Sequence, residues 1–247
     1  MQTFNRNLRE CTELSRPQGL PCYITLADFN QLCRTITYEV LGKLIEQKPR
    51  ATMVVEKTPD HVQHIGFIRA LFPKAKIVHV IRDARDVVLS QMEAGKKSWG
   101  ADWASQSPAD AAKTWVEWTK QGCAWRAEPY PYIEGKYEDL RSNGPATLGR
   151  VYRFLGLPLP QARVEEIYKR FSLESCANGS APQVLIRSGE LAVTKVPAYP
   201  EGFFRSAERK KKAALSPEDI AVIEQVAGPM LEYFKYPLPE KKTASSE

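Results

Sequence analysis

Two short β-branched apolar runs, each passing directly into a helix-patterned stretch, constrain this chain more than any other feature. ATMVVEK (51–57) leads into TPDHVQHIGFIRALF, and KIVHVIR (76–82) leads into DARDVVLSQMEAG. A strand followed by a helix and then another strand needs a crossover, and crossovers build parallel sheets. The expected fold class is therefore α/β, a parallel β-sheet flanked by helices. Ligands of such sheets sit outside the carboxyl ends of the strands. Those ends are EKTPDH and RDARD.

The rest of the chain supplies further elements. Leu26, Phe29, Leu32, Cys33, Ile36, Val40, Leu44 and Ile45 recur at helical spacing over 26–47, with Asp28 near the start. Thr58 is placed to cap the next helix, with Pro59 at its first position, His61 in its first turn and Pro73 at its stop. Residues 108–127 read as an amphipathic helix whose Trp115 and Trp118 face the core. PYPYIEGKYEDL is a third strand candidate with a charged exit. ATLGRVYRFLGLP reads as a helix with Gly156 near its end, and PQARVEEIYKRFS as another. Residues 175–205, where Gly, Ser and Pro recur, read as irregular. Ser216 as N-cap with Pro217 at N1 starts a last helix. The expected organisation is a polar segment over 1–25, one domain over 26–238 and a disordered tail over 239–247.

Composition excludes several classes. No apolar stretch approaches 18 residues, so no membrane span is expected. The first residues, MQTFNRNLRE, lack the apolar region of a signal peptide, so a cytoplasmic location is expected. The net charge of +6 fits an anionic small ligand better than nucleic acid. Five cysteines without a CxxC pair argue against a disulfide framework and against zinc. His61 and His64 are spaced to share a helix face, but no third ligand lies at a useful spacing, and no metal is expected.

The chemistry concentrates at the strand ends. Arg82 ends a strand, and Ser90 lies eight residues on along the following helix. A strand-end guanidinium, a helix N-terminus and a hydroxyl can converge on one phosphate. Lys57 ends the neighbouring strand, with a histidine close by in sequence. The alternative is structural: Arg82 pairs with Asp86 or Glu56, and Ser90 bonds its own helix. Spacing alone leaves the two open. Tyr137 reads equally as a strand aromatic, Glu138 and Asp139 as a solvated turn, and His64 and His79 as packing residues. Arg205, Arg209 and Lys210–Lys212 form a solvated face or lend one cation to an anion.

FPKAKIVHVIRDARDVVLS resembles the 3′-phosphate-binding segment of sulfotransferases that use 3′-phosphoadenosine 5′-phosphosulfate (PAPS). EKTPDH resembles the Lys-Thr-Pro strand end that precedes it in that superfamily. YEDLRSNGPATLGRVYRFLGLP resembles the family's YEDL…FLGL strand and helix. LIRSGE, the basic FFRSAERKKKAALSPEDI and the last helix resemble its cofactor-covering loop and closing helix. The likeness runs from about residue 50 to 238, in the family's order. It implies a P-loop-NTPase-like sulfotransferase fold and sulfuryl transfer from PAPS to a hydroxyl or amine of a small-molecule, carbohydrate or peptide acceptor, without metal. It implies that Arg82 and Ser90 bind the 3′-phosphate, that Tyr137 faces the adenine, and that Arg187 and Gly189 belong to the covering loop with Arg205 close by. Lys57 would stabilise charge on the transferring group, and His61 is the candidate base.

The family's N-terminal Pro-x-Ser-Gly-Thr-Thr-like loop has no counterpart, and no Ser-Gly-Thr run occurs in the 247 residues. The chain reads as the family domain without its first strand and phosphosulfate loop. Truncation is the favoured explanation, with an unpaired sheet edge and poor solubility as its consequences. The alternatives are a degenerate, inactive nucleotide- or partner-binding module of the same fold, or a replacement of the loop by residues 1–25; as a function, a kinase-like phosphotransferase is the more remote reading.

Overall fold

The computed structural model describes residues 23–46, 50–105, 107–177, 184–188, 192–196 and 215–238. The chain divides into two compact units. One comprises Met1–Ala75 with Pro129–Pro131, the other Lys76–Glu128 with Tyr132–Glu247.

In the first unit, helix α1 spans Leu26–Glu46. A reciprocal box starts it: the Asp28 amide donates to Thr25 Oγ1 at 3.1 Å, and the Thr25 amide donates to Asp28 Oδ2 at 2.8 Å. The Thr25 hydroxyl also donates to Asp28 Oδ2 at 2.6 Å, and this bond first, then the Thr25 amide, holds the Asp28 carboxyl below its ordinary range. A 3₁₀ turn over Pro59–His64 passes into helix α2, Ile65–Leu71. Pro59 takes the first turn as expected, and Thr58 sits at the cap in extended backbone. The Thr58 hydroxyl, however, donates to Glu56 Oε1 at 2.6 Å instead of capping the helix. Phe29 meets Phe67 with ring centroids 6.4 Å apart, and Tyr38 meets Phe72 edge-on at 5.4 Å. Arg34 closes the end of α2 by donating to the Leu71 and Ala70 carbonyls, a site where a cation also opposes the negative helix terminus.

The strand expected at 51–57 does not form. Residues 51–58 are irregular, and Val55 is 77% exposed. β-branched residues favour a strand only where a neighbouring strand and a packed face receive them, and the exposure of Val55 shows that this run has no such cover.

In the second unit, strand β1 (Ile77–Ile81) and strand β2 (Tyr132–Lys136) pair in parallel, with Ile77 opposite Tyr132 and Ile81 opposite Lys136. Helix α3 (Ala84–Gly95) follows β1, helix α4 (Pro108–Cys123) crosses over, and β2 returns beside β1. The expected α/β class with a parallel pair and flanking helices is therefore present, in a mostly helical chain. After β2 come α5 (Tyr137–Ser142), α6 (Gly144–Leu155), α7 (Gln161–Arg170) and α8 (Leu173–Ala177). Gly156 ends α6 at φ +79, left-handed backbone that a side chain would strain. The Lys76 ammonium donates to the Leu155 carbonyl at the same terminus.

Residues 175–205 were expected to be irregular, yet they contain an antiparallel hairpin of β3 (Val184–Ser188) and β4 (Ala192–Val196). The β-branched alternation in these two runs outweighs the Gly, Ser and Pro around them. The last helix, α9, spans Pro217–Tyr233 and begins with Ser216 in a capping box with Asp219. Its Ile223, Ala227 and Leu231 pack with Ile81, Ala84, Val88, Ala111, Ala112 and Trp115 into the core. The alanines on α3, α4 and α9 let the helix backbones approach closely. No helix of the described residues is long and apolar enough to cross a membrane. The proposed tail, 239–247, lies outside the described residues.

Candidate functional site

The parallel register fixes what stands at the carboxyl end of the sheet. Ile81 opposes Lys136, so the next residues on the two strands, Arg82 and Tyr137, leave the sheet side by side. The Arg82 guanidinium lies over the Tyr137 ring, 5.0 Å from its centroid. Such a contact uses the face of the fork and leaves its N–H edge to polar partners.

Four further contacts hold this corner. The buried Trp115 indole donates to the Arg82 carbonyl at 3.0 Å. The Asp83 amide donates to Glu138 Oε1 at 3.0 Å, joining the two strand exits. The Tyr236 hydroxyl donates to Glu138 Oε2 at 2.8 Å, and the Lys136 ammonium lies 4.6 Å from the Tyr236 ring centroid. Burial first, and then the Glu138 bond, push the Tyr236 phenol well above its ordinary range.

Asp83 caps α3, its carboxylate accepting the Arg85 amide at 2.9 Å. The Arg85 side chain pairs with Asp83 at 2.6 Å and with Glu224 on α9 at 2.9 Å, and donates to the Pro237 carbonyl. The Asp83 bonds are the main reason its guanidinium is held above the ordinary arginine value. Arg85 is thus a structural tie. Among the described residues Arg82 has one carboxylate partner, Asp86, at 2.7 Å in a half-exposed pair. The structural alternative for Arg82 is real in this respect. An anion arriving at Arg82 has to displace or share that contact. Ser90 lies farther along α3 and is exposed.

Lys57 and His61 belong to the first unit, four residues apart in the chain. Lys57 is exposed. His61 Nδ1 lies 2.6 Å from Glu56 Oε2, with both side chains nearly half exposed. A carboxylate on one ring nitrogen fixes the tautomer in which the other nitrogen carries the lone pair. Arg187 is on β3 opposite Val193. Gly189 and Arg205 lie outside the described residues.

Sequence reasoning missed Glu138, which read as part of a solvated turn and instead bridges both strand exits and the chain beyond α9. Its signal was its place directly after Tyr137, level with Asp83 in a parallel register. Trp115 was read correctly as core, but its bond to the Arg82 carbonyl was not legible.

A parallel strand end that sets an arginine on a tyrosine ring beside a helix N-terminus places the chain among α/β proteins. The particular family follows from comparison: the chain belongs to the sulfotransferase family, whose sequence model matches residues 3–161. Over 146 residues it is 27% identical to sulfotransferase 2A1 of Rattus norvegicus, covering 53% of this chain and 48% of that protein. Over 115 residues it is 29% identical to the omega-hydroxy-beta-dihydromenaquinone-9 sulfotransferase of Mycobacterium tuberculosis, covering 44% of this chain and 30% of that protein. The chain spans about half or less of the length of these curated relatives. No solved structure gives a significant match.

Proposed function

We propose that the chain is a PAPS-dependent sulfotransferase whose strand-end corner binds the 3′-phosphoadenosine half of the co-substrate. The observation that carries this reading is the Arg82 guanidinium stacked on Tyr137 at the carboxyl end of the parallel pair. The donor set fits a phosphate monoester: a half-exposed guanidinium and an exposed Ser90 hydroxyl on one strand–helix unit. Arg82 and Ser90 would hold the 3′-phosphate and Tyr137 would line the adenine side. Arg187, Gly189 and Arg205 would belong to the covering segment.

In the transfer, the acceptor O–H or N–H loses its proton, its oxygen or nitrogen bonds sulfur, and the sulfur–bridging oxygen bond breaks toward the nucleotide. Lys57 is the proposed cation for the charge that builds on the departing oxygens. His61, oriented by Glu56, is the proposed acceptor of the proton. One relative is named for an omega-hydroxy menaquinone and another, a putative protein-tyrosine sulfotransferase of Caenorhabditis elegans, for protein tyrosine, which favours a hydroxyl over an amine as the acceptor group.

A transfer assay with the full chain, PAPS and a panel of phenols and aliphatic alcohols tests this. Nucleotide product is expected, and His61→Gln should lower kcat by roughly 10²–10⁴ with little change in the KM for PAPS. Product formation that is unaffected by His61→Gln removes the base assignment. Nucleotide binding with no turnover in the same assay would instead mark a binding module of the same fold.

A further inference from the structure

His79 and Glu134 are register partners in the parallel pair, so their side chains leave the same face of the sheet. Cys123, the last residue of α4, comes to that face from above. The three offer one nitrogen, one sulfur and one oxygen within 4.8 Å of one another, and all three residues are half-buried. The atoms divide cleanly between partners. Glu134 Oε1 takes the Arg126 guanidinium, while Oε2 faces Cys123 Sγ at 3.8 Å and the Tyr132 hydroxyl at 3.3 Å. One carboxylate oxygen can therefore ligate while the other stays ion-paired. The Tyr132 hydroxyl also lies 2.7 Å from His79 Nδ1, so a single group orients both the imidazole and the carboxylate. Outer contacts of this kind set the geometry and affinity of metal ligands.

We propose that His79, Cys123 and Glu134 form a binding site for a divalent cation of Zn²⁺ character, with water as its fourth ligand. A mixed N, S and O set selects borderline-soft ions over Mg²⁺ and Ca²⁺. In a tetrahedral zinc site, bond lengths of about 2.0–2.3 Å put ligand atoms roughly 3.5 Å apart. The cluster thus has to contract by about an ångström, a movement within reach of side-chain rotation at the end of a helix. Binding releases the Cys123 proton to solvent. The thiolate and carboxylate then balance the ion's charge, and Arg126 keeps its contact with the distal oxygen. The site would clamp the end of α4 to the two parallel strands. It stands independently of the proposed transfer activity.

Full-length protein stripped with a chelator and titrated with Zn²⁺ against a chromophoric competitor should take up one ion per chain. Co²⁺ should give a thiolate charge-transfer absorption that Cys123→Ser abolishes, while Cys33→Ser and Cys176→Ser leave it intact. Tyr132→Phe should weaken Zn²⁺ by about 10–100-fold, the usual effect of an outer-shell loss. X-ray absorption of the zinc-loaded parent protein should show one sulfur at about 2.3 Å among N/O neighbours, a readout that needs no variant to fold. Absence of stoichiometric uptake, a sulfur-free zinc shell, or a Co²⁺ band that survives in a folded Cys123→Ser protein would each overturn the site.

Discussion

The Arg82 guanidinium lies 5.0 Å from the Tyr137 ring centroid because the register that pairs Ile81 with Lys136 releases both residues from the sheet at the same level. In the proposed site Arg82 is the group that meets the phosphate. Its contact with Asp86 is a half-exposed i,i+4 pair, a type that contributes less than about 1 kcal/mol. Asp86→Asn should therefore change stability in urea by under about 0.5 kcal/mol. By removing a competing carboxylate, it should also tighten binding of 3′-phosphoadenosine 5′-phosphate about threefold. Weaker nucleotide binding in Asp86→Asn would show that Asp86 positions Arg82 rather than competing for it.

Glu138 joins three parts of the second unit through the Asp83 amide and the Tyr236 hydroxyl. Glu138→Ala strands both donors, and each half-buried donor left unpaired costs roughly 1–3 kcal/mol. A loss of about 2–3 kcal/mol is expected by urea denaturation. Glu138→Gln keeps one acceptor oxygen and should cost about half as much. A cost for Glu138→Ala no larger than that of an exposed glutamate would show that the bridge contributes little.

Tyr236 makes the alkaline limb informative. Burial and the Glu138 bond raise its phenol above the unfolded value. Below about pH 10 both states keep the proton and the contribution is complete. Above it the unfolded chain ionises first, so this contribution to stability falls as pH rises. Tyr236→Phe removes the titration. Its stability should start lower at neutral pH and decline less steeply than the parent's between about pH 9.5 and 11. Parallel curves in that window would contradict the raised phenol.

Arg69, in the first unit, is 4% exposed and has no carboxylate partner among its contacts in the described residues. It donates to the carbonyls of Pro73, Ala75 and Pro131 and lies 4.8 Å from the Tyr130 ring centroid. Burial lowers its pKa from the ordinary arginine value. Arg69→Met, which keeps volume and removes the donors, should destabilise by about 2–3 kcal/mol in urea. Arg69→Lys should recover only part, because an ammonium cannot span three separated carbonyls as the fork does. Full recovery in Arg69→Lys would mean that charge alone, not fork geometry, is required.

The elements with long uninterrupted periodicity were legible in sequence. The strand and helix at Ile77–Gly95, the strand at Tyr132 with the helix ending before Gly156, and the Ser216–Pro217 start all form as their patterns indicate. The run at 51–57 misled because β-branching reports fitness for a ladder, not the presence of a partner strand. The hairpin at Val184–Val196 was obscured by counting the glycine and serines beside it above the alternation within it. Arg82 and Tyr137 were linked in sequence only by the family resemblance, because the run at 51–57, not β2, was expected beside β1. Glu138 and the His79–Cys123–Glu134 cluster were not, because their partners come from separate elements that only register and packing bring together.

Calorimetric titration of the full chain with 3′-phosphoadenosine 5′-phosphate and with AMP, in the parent and in Arg82→Ala, is the most direct test of the strand-end site. A charge-assisted phosphate contact contributes about 1.5–3 kcal/mol, so the 3′-phosphate should tighten binding by roughly 10–150-fold over AMP. Arg82→Ala should erase most of that preference and leave AMP affinity nearly unchanged. Equal affinity for the two nucleotides in the parent protein, or a preference that persists in Arg82→Ala, would contradict the assignment.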